Sequence, residues 1–263
     1  ITVNPVAGLV TSEAGATATF TVVLNTQPSG DVMIALSSSD ATEGTIAPTS
    51  LVFTSTNWNT PQTVTVTGQN DDLADGDIAY TIVTAAATSS DANYNGLNPA
   101  DVSVTNADND TAGITVTPTS GLATTEAGGT ATFTIKLTSQ PTADVTIGLA
   151  SSDPSEGTVA PASPVFTSAN SNAPQTVTVT GQNDDVADGD VAYTIATAAA
   201  VSTDAKYGGL DAANVSVTNT DNDTAGITVT PTAGLVTTEA GGTATFTIKL
   251  TSQPTADVTI GLT

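Results

Sequence analysis

The sequence repeats itself at a fixed offset of 113 residues, and this repeat most limits what the chain can fold into. The tripeptide Ile-Thr-Val begins at Ile1, Ile114 and Ile227, and the third copy stops after 37 residues. Self-similarity at a fixed period indicates that each copy is one structural unit. We therefore predict repeats at residues 1–113 and 114–226, with the first strands (A–C) of a third, incomplete repeat at residues 227–263.

The incomplete third copy could not bury its apolar face alone. Two explanations stay open. The chain is a fragment of a longer array, or another chain supplies the missing strands. We favour the fragment, because the period by itself points to an array.

Within a repeat the residues alternate with period two, which is typical of half-buried strands. Ala18, Phe20, Val22 and Leu24 are expected to point one way, with threonines between them pointing the other way. No stretch predicts an amphipathic helix. The predicted strands are A (1–5), B (16–25), C (31–37), D (50–55), E (61–68), F (77–87) and G (101–106). About seven short strands in ~100 residues predict an all-β, immunoglobulin-like sandwich.

Composition excludes several functions. The net charge of −23 argues against a nucleic acid or an anionic membrane surface as partner. No run of apolar residues is long enough for membrane insertion. The sequence has no Cys and no His, and only three Lys. It therefore lacks the usual general bases and nucleophiles, and we predict that it is not an enzyme.

The stretch from Gly68 to Asp77 carries four aspartates within seven residues and returns from Gly181 to Asp190 with one change, Leu73 to Val186. Unpaired like charges this close repel by roughly 1 kcal/mol per pair even in water. A turn needs one or two Asp or Gly residues, not four acids. The hard oxygen ligands predict bound Ca²⁺, although the EF-hand loop pattern is not met.

Most of the acidic residues fall in alternate loops of each repeat. If strands alternate in direction, the A–B, C–D and E–F loops share one end of the sandwich with the exit of strand G. These segments hold 18 candidate metal ligands, nine in each complete repeat. They are Glu13, Asp40, Glu43, Asp71, Asp72, Asp75, Asp77, Asp108 and Asp110, and then Glu126, Asp153, Glu156, Asp184, Asp185, Asp188, Asp190, Asp221 and Asp223. Asp31, Asp91 and Asp101 fall at the opposite end, where we expect exposed turn or edge residues.

The same end leads into the next repeat, because strand G runs through Ala107–Gly113 to Ile114. This linker is too short and too acidic for a free hinge. Ca²⁺ takes six to eight oxygen ligands, so ions at the junction would join the repeats into a stiff, end-to-end rod. Without metal, repulsion among the acids should loosen it.

These motifs resemble the Calx-β domain: Glu13 in Ser-Glu-Ala-Gly, the acidic E–F loop, and the terminal Asp108-Asn109-Asp110. The resemblance covers each complete repeat and implies a seven-stranded sandwich that binds Ca²⁺ at one end. It implies ligands at Glu13, at Asp40 or Glu43, and in the acidic segments at 71–75 and 108–110. The sequence departs from the family pattern at two places, and both bear on the number of bound ions. Glu43-Gly44-Thr45 replaces the family's Asp-Tyr, and Asn109 stands in the middle of the triplet.

The segment from Leu51 to Ile82 also resembles tandem repeats of large bacterial surface proteins. This implies a secreted bacterial chain, located outside the cell or on its surface.

Two functions fit the repeats. The first is a structural module of an extracellular stalk, fibre or surface filament, stiffened by Ca²⁺, whose partners are neighbouring repeats and identical chains. The alternative is an adhesin or binding module that recognises a glycan or protein partner. Near-identical copies favour a spacer, whereas the differing D–E loops, 55–60 against 168–173, keep binding open. An intracellular Ca²⁺ sensor fits poorly, because tandem repeats have no companion regulatory segment here.

Overall fold

The computed structural model describes residues 1–263, which form 22 strands and no helix. The chain divides into two compact units, Ile1–Ala112 and Gly113–Thr263. The first unit contains β1 (Thr2–Asn4), β2 (Leu9–Ser12), β3 (Thr17–Val23), β4 (Val32–Ser38), β5 (Gly44–Ala47), β6 (Ser50–Phe53), β7 (Gln62–Gly68), β8 (Ile78–Thr84), β9 (Thr88–Ser89) and β10 (Val102–Ala107). No helix is present that is long and apolar enough to cross a membrane.

Two sheets form the sandwich of the first unit. One has the strand order β1-β3-β7-β5, and the other has the order β2-β10-β8-β4-β6, with β9 beside β4. Strand β2 runs parallel to β10, with Thr11 opposite Asn106, while the other pairs are antiparallel. This register places the end of β2 beside the end of β10, and both strands lead into acidic segments.

The core lies between the sheets and follows the predicted alternation. Phe20, Val22 and Leu24 are buried, as predicted for strand B. They pack with Ile34, Val64 and other apolar residues in one cluster. The corresponding strand of the second repeat carries Lys136 on its exposed face, so its outward orientation is also confirmed.

The division into seven strands is too coarse. After Pro5 the chain changes sheets, and β2 (Leu9–Ser12) becomes a strand of its own. Gly8, with a φ of 77°, allows the turn between them. Strand β5 (Gly44–Ala47) was missed because it is short and half polar. Predicted strand F is also too long, since β8 ends at Thr84 and the short β9 follows.

The second unit begins with a complete repeat. Its strands are β11 (Ile114–Thr117), β12 (Leu122–Thr125), β13 (Thr130–Leu137), β14 (Val145–Thr146), β15 (Leu149–Ser151), β16 (Gly157–Ala160), β17 (Val165–Phe166), β18 (Gln175–Gly181), β19 (Val191–Thr197) and β20 (Val215–Thr220). The sheet β11-β13-β18-β16 faces the sheet β12-β20-β19-β15, and β14 pairs with β17. The sandwich of the first unit is thus repeated.

Residues 227–263 form only β21 (Ile227–Thr230) and β22 (Thr247–Leu250), paired with each other. The predicted third strand, C, is absent. In the first unit this strand pairs with β6, β8 and β9, whose counterparts the sequence does not include. Val236, Phe246 and Val258 are consequently exposed.

Candidate metal centre

Four segments that are distant in sequence carry acids to one end of the first sandwich. Glu13 follows β2, Glu43 precedes β5, an acidic loop follows β7, and two aspartates follow β10. The carboxylates form two groups of three, and within each group the ligand oxygens lie within 4.8 Å of one another. We call them group 1 (Glu13, Asp108, Asp110) and group 2 (Glu43, Asp71, Asp75).

The second repeat forms the same two groups. They consist of Glu126, Asp221 and Asp223, and of Glu156, Asp184 and Asp188, with ligand oxygens again within 4.8 Å of one another. Two repeats with several different side chains therefore reach one arrangement of carboxylates.

The glutamates are the buried members of these groups. Glu13 is 5% exposed and Glu43 is 7% exposed. Glu13 accepts a hydrogen bond from the backbone N–H of Asn109 at 3.1 Å, while its own N–H donates to the carbonyl of Ala107. Residues 1–112 contain no Lys or Arg. A buried charge needs a partner, and no side-chain cation of this unit can provide one.

Burial raises the pKa of Glu13 above its usual 4.5. The hydrogen bond from Asn109 opposes this, and nearby Asp108, Asp71 and Asp110 add to it. The pKa of Asp110 is raised by burial and then by four neighbouring aspartates: Asp108, Asp72, Asp71 and Asp75. Negative charge is therefore disfavoured in group 1 when no cation is bound.

The pKa of Glu43 is also raised by burial, against a hydrogen bond from Asn106, with Asp75, Asp71 and Asp40 contributing repulsion. Asp71 therefore acts on both buried glutamates. The two groups belong to one electrostatic centre rather than to two independent sites.

In the second repeat, the hydrogen bond from Asn222 is the largest influence on Glu126 and lowers its pKa. Burial together with three aspartates outweighs it, and the net pKa is raised. The pKa of Asp223 is raised by burial and by Asp185, Asp221 and Asp184.

Asp77, a further candidate, and Asp108 of group 1 connect two loops by hydrogen bonds. Asp108 Oδ2 accepts from the N–H of Gly76 at 2.7 Å, and Asp77 Oδ1 accepts from the N–H of Asp108 at 3.1 Å. Asp221 and Asp190 repeat these contacts in the second repeat. Hydrogen bonds thus connect the acidic loop after β7 to the segment that follows β10.

Other candidates lie outside the two groups. Asp72 is exposed and acts electrostatically on Asp110, as Asp185 does on Asp223. Asp40 accepts hydrogen bonds from the hydroxyl and N–H of Thr42, which lower its pKa. Asp153 makes equivalent bonds with Ser155. Both are engaged in their own turns.

At the opposite end, the expectation of exposed acids is wrong for Asp91, which is buried. It accepts from the N–H of Ser29 at 2.8 Å and of Asn93 at 2.9 Å, so it fastens two loops together. Asp31 and Asp101 are exposed, as expected.

Asn106 is not among the predicted site residues, yet it is buried next to the acids and donates to Glu43. The alternation of side chains along β10 could have identified it. Val102, Val104 and Asn106 alternate along β10 and all point inward, so the pattern placed a polar side chain in the core. Its counterpart is Asn219.

No family model and no curated protein matches the sequence. Solved structures do. CBD12 from CALX1.2 is 14% identical with a TM-score of 0.37, covering 82% of this chain and 97% of that one. The calcium binding domain CBD12 of CALX1.1 is 15% identical with a TM-score of 0.37, over 76% and 81%. Domains 4 and 5 of the S-layer protein SbsC are 18% identical with a TM-score of 0.32, over 72% and 77%. At such identities the likeness concerns the fold alone.

Proposed function

We propose that each complete repeat binds Ca²⁺ through its two groups of carboxylates. The observation that carries this proposal is the convergence of acids from four distant segments, two of them buried glutamates, in a unit without Lys or Arg. Ca²⁺ prefers six to eight hard oxygens. Each group supplies three carboxylates, and loop carbonyls and water would complete the shell.

The larger role that we propose is structural: a repeat segment of an extracellular stalk, fibre or surface filament that bound Ca²⁺ makes stiff. Asp108 and Asp110 lie within five residues of Gly113, the first residue of the second unit. Ca²⁺ sites of extracellular modules typically have dissociation constants of about 10⁻⁴–10⁻³ M, and we expect an affinity in this range.

A contact within the second unit supports coupling between the acidic loop and the following strands. The N–H of Gln253 donates to the carbonyl of Asp185 at 2.6 Å, and Val186 forms a parallel bridge with Gln253. This contact lies between Asp184 and Asp188, two members of one carboxylate group. An ion that orders the loop would therefore also order the contact.

The test is to titrate the metal-free chain with Ca²⁺ by calorimetry and to record small-angle scattering with Ca²⁺ and with a chelator. We expect saturable binding, a higher melting temperature and a larger maximum dimension with Ca²⁺. Mg²⁺, which requires a smaller octahedral shell, is the matched ion control. Binding without any change in dimension would overturn the stiffening role, and absence of binding would overturn the proposal as a whole.

A further inference from the structure

One buried amide lies directly beneath the acids of the first repeat. Asn106 is 1% exposed. Its Nδ2 donates to the carbonyl of Gln69 at 2.9 Å and to Glu43 Oε2 at 3.3 Å, and its Oδ1 accepts from Thr11 Oγ1 at 3.0 Å. A carbonyl and a carboxylate can only accept from the amide. The amide orientation is therefore fixed by its partners.

The amide of Asn106 lies where the four acidic segments of the centre begin. Thr11, Gln69 and Asn106 each stand two residues before a group member, which are Glu13, Asp71 and Asp108 respectively. Residues two apart in an extended segment lie about 6–7 Å apart. Glu43, on the fourth segment, contacts the amide directly. The side chain of Asn106, which stands on one of the four segments, thus contacts the other three.

Glycines provide the space that this network occupies. A Cβ on Gly68 would lie 2.6 Å from Asn106 Oδ1 and would overlap the backbone carbonyl of Ser12. A Cβ on Gly44 would overlap the phenol of Tyr80, whose hydroxyl lies 3.2 Å from Thr11 Oγ1. Gly44 and Gly68 are opposite each other in the β5–β7 pair, so the pocket is built into the sheet.

The second repeat reproduces the network. Asn219 Nδ2 donates to the carbonyl of Gln182 at 3.0 Å and to Glu156 Oε2 at 3.2 Å. Its Oδ1 accepts from Thr124 Oγ1 at 2.9 Å, and Gly181 leaves the same space. The arrangement persists although the residue following each asparagine changes from Ala107 to Thr220.

We infer that Asn106 and Asn219 are positioning residues of the carboxylate groups: each holds its glutamate in place and fixes the four acidic segments relative to one another. This inference rests on the proposed Ca²⁺ binding. Groups that orient metal ligands without touching the metal typically contribute about 10–100-fold to affinity, and the buried amide is placed for that role.

The experiment is a calorimetric Ca²⁺ titration of the full chain carrying Asn106→Leu, Asn219→Leu or both. Each single variant keeps one intact repeat as an internal reference. We expect half of the binding sites to weaken about 10–100-fold in each single variant and all of them in the double variant. Thr11→Val keeps the shape of the side chain and removes the hydroxyl that donates to Asn106 Oδ1 and contacts the hydroxyl of Tyr80. We expect a smaller loss in the same sites, and this variant keeps the inference testable if Asn106→Leu does not fold.

Thr84→Val is the matched control. Thr84 is buried on β8, at the end remote from groups 1 and 2, and its hydroxyl donates to the carbonyl of Pro99 and to Asp101 Oδ1. A purely structural role predicts that Asn106→Leu and Thr84→Val both lower the melting temperature while leaving its increase by Ca²⁺ unchanged. That result, with wild-type affinity in Asn106→Leu or Thr11→Val, overturns the inference but leaves Ca²⁺ binding standing. Absence of binding by the wild-type chain overturns both.

Discussion

The carboxylate of Glu13 accepts a hydrogen bond from the backbone N–H of Asn109, 96 residues later in the chain, at 3.1 Å. The bond joins the beginning and the end of one repeat within group 1, where β2 and β10 run parallel. Group 1 therefore exists only when the repeat is complete. Glu239, the counterpart of Glu13 in residues 227–263, is exposed, and the sequence includes no later acidic triplet to join it.

Glu13→Gln should make the first repeat more stable without Ca²⁺ and less responsive to Ca²⁺. Its raised pKa shows that the ionised form is disfavoured by burial and by Asp108, Asp71 and Asp110, so removing the charge relieves the metal-free state. The same change removes a proposed ligand. We expect an affinity loss of about tenfold or more, which corresponds to about 1.4 kcal/mol, measured by thermal unfolding with Ca²⁺ and with chelator.

Glu126→Gln is the matched variant in the second repeat, and Glu239→Gln is the control. Since Glu239 is exposed and lies outside the carboxylate groups, its substitution should change neither stability nor affinity. A Glu13→Gln chain with reduced metal-free stability and an unchanged Ca²⁺ response would contradict the assignment of Glu13.

The metal-free chain should become more stable as the pH falls from 7 towards about 4.5. Glu13, Glu43 and Asp110 have raised pKa values. Their contribution to stability is complete below the unfolded-state pKa and is lost as the pH rises through the folded-state pKa. Asp40 and Asp91 have pKa values lowered from 3.8. Their contribution is present above 3.8 and is lost as the pH falls further.

Urea unfolding of the metal-free chain across this range should therefore give a maximum of stability between about pH 3.8 and 4.5. With saturating Ca²⁺ the slope above pH 4.5 should reverse, because protons compete with the ion for the same carboxylates. A metal-free chain that loses stability steadily from pH 7 downwards would show that these acids do not repel one another.

The sequence predicted the sandwich and the segregation of acids because both depend on regular patterns. Alternation placed Phe20 and Val22 in the core, and loop parity brought Glu13 to the same end as Asp108. The short strand β5 was not predicted, because its four residues, with the polar Thr45 among them, are too few to show an alternating hydrophobic pattern. The role of Asn106 was not predicted, because it depends on three partners from other segments. Only the folded structure brings these partners within hydrogen-bond distance.

Gly68→Ala should destabilise the first repeat by about 1–3 kcal/mol, the usual cost of overpacking. The added methyl group would meet the backbone carbonyl of Ser12, which belongs to β2 and cannot turn aside as a side chain could. Urea unfolding measures the loss. Gly261→Ala is the control, because nothing lies within 4 Å of its ideal Cβ position. Equal stability of the two variants would mean that β2 and β7 do not approach as described.

Asp75→Asn and Asp40→Asn compare an acid that belongs to a carboxylate group with one that belongs to neither group. Asp75 belongs to group 2 with Glu43 and Asp71, so its loss should weaken Ca²⁺ binding and lower the Ca²⁺-induced increase in melting temperature. Asp40 is occupied by Thr42 in its own turn, so Asp40→Asn should lower stability equally with and without Ca²⁺.

Calorimetry and thermal unfolding of both variants measure the difference, and Asp188→Asn with Asp153→Asn repeats the comparison in the second repeat. A large affinity loss in Asp40→Asn would mean that Ca²⁺ draws this carboxylate out of its turn and into the centre. Both hydrogen bonds from Thr42 reach Asp40 Oδ1, so an ion bound by this oxygen would displace Thr42 and rearrange the C–D segment. Unchanged affinity in Asp75→Asn would mean that group 2 does not bind the ion and would limit binding to group 1.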